Sequence, residues 1–309
     1  MSFASIAVPF ENDNRRGIAY VLVGMAAFAV GDAFVKLLGA ELPLGQLIAV
    51  RGALASMLLV ALVIRLEGGL DLRAARRPRM IVRTAFEIGA TVCFLSALVR
   101  IPIASATAIL QVIPLAVTFF GSIFLGERVG WRRYCAIMAG FAGILVIVRP
   151  TSEGLDAGAL FALGTVACST GRDLVTRGFP REISSLQVVT TTTIAVTVAG
   201  IAWMSVEGSA PMTASHLGAV AASAVLLPIG LFCVAAAVRT GELAVVTPFR
   251  YSIFLWALLI GYLAFGEVPD AATLVGAAIV LASGLYTLFR EASLDRDIAA
   301  RSGKRGVPV

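Results

Sequence analysis

Charge is what this sequence has least of. Only 14% of its 309 residues are Asp, Glu, Lys or Arg, while 59% are hydrophobic, and the mean hydropathy is +0.92. A soluble domain with that balance has too few polar groups to cover its own surface. That excludes an ordinary globular protein and leaves a chain whose excess apolar surface is solvated by lipid. Cysteine is also scarce: Cys93, Cys135, Cys168 and Cys233 all lie within apolar runs, none in a C-x-x-C pair. No His lies near them, so disulfides and metal are not expected, and the four read as buried apolar side chains. The single histidine, His216, and the absence of any G-x-S-x-G exclude a Ser-His hydrolase. Asp32 and Asp173 could imitate an aspartyl pair, but they fall at different depths along their helices, and Arg172 flanks Asp173. No enzymatic activity and no cofactor is expected. The net charge of +6 does not point to nucleic acid, because the basic residues sit between apolar runs and form no patch among aromatics.

What is present in abundance is the long apolar run. A spanning helix needs about 20 residues, and the pattern predicts spans at 17–38, 44–66, 80–98, 102–126 and 131–148, then 156–176, 185–206, 216–238, 242–265 and 271–289. Short turns such as Glu41-Leu42-Pro43, Arg100-Ile101-Pro102, Arg149-Pro150, Gly178-Phe179-Pro180 and Val268-Pro269-Asp270 separate them. No cleavable leader is expected, since the first run is too long for a signal segment and carries Asp32 and Lys36. The fold class expected is an all-α membrane protein of ten transmembrane helices in two inverted five-helix repeats. Residues 1–16 form a cytoplasmic segment, 17–148 the first repeat, 156–289 the second, and 290–309 an unstructured cytoplasmic tail.

Arginine sets the orientation. With the N-terminus in the cytoplasm, the cytoplasmic segments hold Arg15, Arg16, Arg65, Arg73, Arg76, Arg77, Arg79, Arg128, Arg132, Arg133, Arg177, Arg181 and Arg239, whereas the other side holds only Arg100 and Arg149. That bias implies a protein of the bacterial cytoplasmic membrane with both termini on its cytoplasmic side.

The two halves resemble each other. Ala97-Leu98-Val99-Arg100 matches Ala236-Ala237-Val238-Arg239, Gly126-Glu127 matches Gly266-Glu267, and Gly31-Asp32 has a partner in Gly171-Arg172-Asp173. Five spans per half is an odd number, so the second half enters the membrane upside down. This arrangement marks secondary transporters, with the substrate site near the midplane.

The stretch Ala104-Ser105-Ala106-Thr107-Ala108-Ile109-Leu110-Gln111-Val112-Ile113-Pro114, followed by Phe124-Leu125-Gly126-Glu127-Arg128 and Gly140-Phe141-Ala142-Gly143-Ile144, resembles the EamA half-repeat of the drug/metabolite transporter superfamily. The resemblance covers residues 17–289. It implies ten spans and a cavity lined by spans 1, 3, 4, 6, 8 and 9. Thr247-Pro248-Phe249-Arg250-Tyr251 with Gly266-Glu267-Val268-Pro269-Asp270 resembles the branch of riboflavin and S-adenosylmethionine importers. The resemblance implies uptake of a planar heterocyclic metabolite such as either of these, with export of amino acids or drugs as the alternative.

Ionisable groups within the hydrocarbon are expensive and mark candidate sites. Asp32 and Lys36, one turn apart in span 1, and Arg51 in span 2 fall at similar depth and are expected to form a triad, either structural or gating. Glu87 in span 3 is expected to pair with Arg250 in span 9, with Arg172 and Asp173 approaching from span 6, while Arg83 snorkels to the interface. Pro114, preceded by Gln111, and Pro248 are expected to kink spans 4 and 9. After Pro248, Arg250, Tyr251 and Phe254 are expected to offer a stacking platform to a planar ring. The Thr190–Thr193 run is expected to bond its own helix. Ala136, Ala139, Gly140 and Gly143 form a close-packing face for a neighbouring helix or for a second protomer of a homodimer. The expected partners are a small-molecule substrate and the lipid bilayer, with no nucleic acid.

Overall fold

The computed structural model describes residues 13–127, 129–150, 154–177 and 184–304. Arg128, Arg181 and the turn Gly178-Phe179-Pro180 lie outside the described residues. Those described form helices and no strand: α1 (Asn14–Gly39), α2 (Leu44–Glu67), the one-turn α3 (Leu72–Ala75), α4 (Pro78–Leu98), α5 (Ile103–Leu110), α6 (Ile113–Phe124), α7 (Trp131–Val148), α8 (Ala157–Arg177), α9 (Ser185–Glu207), α10 (Ala214–Thr240), α11 (Leu243–Val246), a 3-10 turn Thr247–Tyr251, α12 (Ser252–Phe265) and α13 (Ala271–Lys304). Spans 4 and 9 are therefore broken helices, α5 with α6 and α11 with α12. Each break adjoins its proline. Pro114 lies in the first turn of α6 and Pro248 in the 3-10 turn, where a missing N–H interrupts the helical ladder.

Nine of these segments are long and apolar enough to cross a membrane among the described residues. The tenth, α8, has the length at 21 residues but carries Arg172, Asp173 and Arg177. Beyond the last span, α13 continues as helix to Lys304, where an unstructured tail was expected. The sequence from Glu291 to Arg301 holds three Ala and two Arg and has neither Gly nor Pro, which suits a helix.

The main helix interfaces join the two halves. α1 packs on α10, α4 on α8, α2 on α9 and α7 on α13. Numbered as spans these pairs are 1 with 8, 3 with 6, 2 with 7 and 5 with 10. Exchanging the halves turns the first pair into the second and maps the last two onto themselves, as a two-fold axis in the membrane plane requires. On the small-residue face of α7, Gly140 and Gly143 pack within the fold, while Ala139 is exposed. Gly143 and Gly276 bring the backbones of α7 and α13 so close that a Cβ on Gly276 would lie 2.6 Å from the Gly143 carbonyl oxygen.

Around the outside the surface is apolar: Phe124 is 73% exposed, Phe232 67% and Leu263 71%. Such surface is stable only against lipid. Cys135 is on this surface rather than buried, because it projects from the outer side of α7. The threonines of α9 satisfy themselves, Thr190, Thr192 and Thr193 donating to Leu186, Val188 and Val189 carbonyls at 2.8, 3.0 and 2.8 Å.

Candidate functional site

The start of α1 marks one face of the bundle, fixed there by Asp13 N–H on the Thr240 carbonyl at 3.1 Å and Glu242 N–H on Asn14 Oδ1 at 2.8 Å. Near the opposite face, Lys36 does not join Asp32. Its ammonium pairs with Glu267 Oε1 at 2.7 Å and donates to the Ile101 carbonyl at 2.6 Å, over the Phe265 ring. Glu267 Oε2 accepts the Ile103 N–H at 2.9 Å, so one carboxylate holds the end of α1 and caps α5. The expected triad fails for a geometric reason. Equal depth along a helix does not fix which way a side chain points around it, and Lys36 points toward span 9.

The same device recurs near the N-terminal face. Arg177, one turn after Asp173 as Lys36 is after Asp32, pairs with Glu127, the counterpart of Glu267. The surroundings differ. Lys36 and Glu267 side chains are 13% and 17% exposed, Arg177 and Glu127 41% and 39%. Around the first pair, Val35, Leu38, Leu47, Leu98 and Ile103 form a continuous apolar plug, and α1 reaches both α4 and α5. Its counterpart α8 makes no comparable contact with α10, α11 or α12 among the described residues. Among the described residues, the bundle is packed closed at the face opposite the N-terminus, while spans 6 and 9 stand apart at the N-terminal face.

That parting contains charge. Arg172 Nη1 donates to Glu87 Oε1 at 3.3 Å, and its Nε donates to Asp173 Oδ1 at 2.8 Å. Arg83 Nη1 lies 3.5 Å from Glu87 Oε2, and Arg83 Nε donates to Thr176 Oγ1 at 3.1 Å. Arg83 is 9% exposed and so joins this cluster instead of snorkelling. The expected Glu87–Arg250 pair is replaced by Glu87–Arg172, because span 3 packs on span 6 and not on span 9. Arg250 faces Asp173 and Arg172 across the crevice. It is exposed, and its side chain makes no hydrogen bond or ion pair to any described residue.

Tyr251 and Phe254 do not form the expected platform beside Arg250. Tyr251 is 9% exposed, its ring lying against Gly284 of α13, where a Cβ would come within 2.1 Å of the phenol oxygen. Phe254 is 5% exposed within the apolar cluster that includes Leu115 and Val280. Tyr251 stays close enough to Arg250 for the two to interact, so what it lacks is exposure and not proximity. Asp32 and Arg51 face each other deep within the bundle, yet both retain partial exposure, as side chains lining an internal cavity do. Arg51 Nε is buried with no partner. Gln111 sits half-buried at the break in span 4. Glu127, Arg177 and Glu267 were missed as paired residues. The signal was available in the repeated Gly-Glu after spans 4 and 9 and the basic residue one turn after each aspartate.

A solved crystal structure superposes on 89% of this chain and 99% of its own with a TM-score of 0.63 at 19% identity, which supports the fold. Among curated relatives, the pseudopaline exporter CntI of Pseudomonas aeruginosa is 26% identical over 268 residues, covering 86% of this chain and 94% of its own. The S-adenosylmethionine uptake transporter of Rickettsia felis is 23% identical over 280 residues, 89% and 93% of the two chains. The riboflavin transporter of Rhizobium johnstonii is 27% identical over 208 residues, 66% and 67%. These names point to transport rather than to an enzymatic reaction. The EamA-like transporter family matches the sequence twice, over residues 15–149 and 156–289, and the chain belongs to that family.

Proposed function

We propose that this protein is a secondary transporter that carries a small, charged organic metabolite across the bacterial cytoplasmic membrane, with both termini in the cytoplasm. The observation that carries this reading is Arg250. It is a charged side chain about 12 Å along its span, exposed between spans 6 and 9 and facing charges from span 6. The excess of arginine on the N-terminal side supports the orientation, which makes the described state open to the cytoplasm. Arg100 and Arg149, the exceptions, are locally engaged. Arg100 donates to the Ser96 carbonyl at 2.7 Å and lies over Phe161, and Arg149 pairs with Asp270.

Uptake of riboflavin or S-adenosylmethionine is supported by two of the relatives and by the Thr247–Tyr251 likeness. Export is supported by the third. The withdrawal of Tyr251 from the crevice removes the stacking argument for a planar ring and shifts weight toward charge recognition. Purified protein in proteoliposomes, offered a metabolite panel with and without an imposed pH gradient, tests the reading. Saturable flux that Arg250→Gln diminishes is expected. Protein-independent leak for every member of the panel would contradict it.

A further inference from the structure

The crevice cluster has more cation than anion. Arg83, Arg172 and Arg250 face only Glu87 and Asp173. Both Glu87 oxygens are engaged, one by Arg172 and one by Arg83, and Asp173 Oδ1 takes Arg172 Nε. The other interior groups cancel: Asp32 faces Arg51, and Lys36 is paired with Glu267. One positive charge is therefore left over in the cluster, and of its three arginines Arg250 is the one whose side chain makes no hydrogen bond or ion pair to a described residue. An uncompensated charge at this depth is costly until something neutralises it. A guanidinium offers five N–H donors in a planar fork that matches a carboxylate or a phosphate bidentately.

The geometry points to an organic anion as the cargo, a metabolite gripped by Arg250 through a carboxylate or phosphate and carrying net negative charge. This rests on the transporter reading above and narrows it. A neutral flavin leaves the excess charge uncompensated, and a sulfonium cation adds to it.

Matched probes separate charge from shape: glutamate against glutamine, flavin mononucleotide against riboflavin, and S-adenosylmethionine as the cation. Binding to the purified full chain is read as thermal stabilisation, and flux is read in proteoliposomes. Glutamate and flavin mononucleotide are each expected to bind at least tenfold more tightly than their neutral partners. Arg250→Gln should abolish that preference, Arg250→Lys should keep part of it, and Asp173→Asn should strengthen it. These opposite shifts from neighbouring residues distinguish charge recognition from damaged folding. Equal or tighter binding of the neutral or cationic members overturns the inference, as does loss of affinity in both Arg250→Gln and Asp173→Asn, or failure of both anions to bind at millimolar concentration. Flux of riboflavin or S-adenosylmethionine without an anion preference would remove this inference and leave the transporter reading intact. Anion binding without flux of any probe would do the reverse.

Discussion

Two ion pairs related by the internal repeat have opposite fates in this structure. Lys36–Glu267 is enclosed by an apolar plug and ties α1 to α5, whereas Arg177–Glu127 is more exposed, at an end where α8 makes no comparable contact with α10 or α12 among the described residues. The two are built from the same local sequence, a basic residue one turn after an aspartate and a glutamate after a glycine-ended helix. Gly261 and Gly121 make room for the two glutamates, whose side-chain oxygens would lie 3.3 and 2.9 Å from an added Cβ. The difference between them is therefore one of packing and not of composition. An inverted repeat whose halves pack differently at the two faces is what one state of an alternating-access transporter requires. The opposite state would exchange the environments of the two pairs.

Breaking the crevice cluster should have the largest effect. Glu87 has two cationic neighbours and Arg172 bridges two carboxylates, so removing either leaves partly buried charge uncompensated. Glu87→Gln and Arg172→Gln are each expected to lower stability by about 2 kcal/mol and to impair transport. The double variant should cost less than the sum, while Glu87→Gln with Arg250→Gln should be near additive. Denaturation of the single and double variants in detergent checks this.

The two repeat-related pairs should then separate. Lys36→Ala, in the enclosed pair, is expected to cost about 1–2 kcal/mol, because it strands Glu267 and removes the cap support of α5. Arg177→Ala, in the exposed pair, should cost no more than about 0.5 kcal/mol. Equal costs in the same denaturation assay would erase the asymmetry.

The buried phenol gives the next effect. Gly284→Ala drives a methyl into Tyr251 and should destabilise by about 1 kcal/mol or more. Tyr251→Phe removes a hydroxyl that is buried without a partner, should leave stability and transport almost unchanged, and should recover part of the Gly284→Ala loss. Transport kinetics of Tyr251→Phe measure whether the residue is packing alone.

The smallest effect lies at the sealed face outside the spans. Hydrogen bonds from the Thr273 hydroxyl and its backbone N–H, then from Arg149, hold the Asp270 carboxyl down at about 2. A carboxyl lowered on folding contributes fully above its unfolded value of about 3.9 and loses that contribution as pH falls through about 2. Melting temperature should thus be insensitive to Asp270 between pH 5 and pH 8 and fall below about pH 4, with Asp270→Asn reducing the acid-side slope.

The sequence made the ten spans legible because each is a separate apolar run ended by a turn, and the two prolines marked the broken helices. It also placed Glu87, Arg172, Asp173 and Arg250 in one region. Partner choice was not legible from depth alone. Glu87 could reach Arg172 or Arg250 by height, and only the packing of span 3 on span 6 decides between them. Lys36 finds Glu267 far along the chain through the cross-repeat packing of spans 1 and 9. Tyr251 keeps Arg250 as a neighbour, and its burial against Gly284 of α13 is a tertiary contact that local residue order does not specify.

The central claim, a crevice open at the N-terminal face and sealed at the other, has a direct measurement. In a background with the four native cysteines replaced by alanine or serine, Arg250→Cys and Lys36→Cys are treated with a membrane-impermeant maleimide in right-side-out and inside-out vesicles. Arg250→Cys is expected to react in inside-out vesicles only, and Lys36→Cys in neither. Labelling of Arg250→Cys from the outside, or rapid labelling of Lys36→Cys there, would contradict the account.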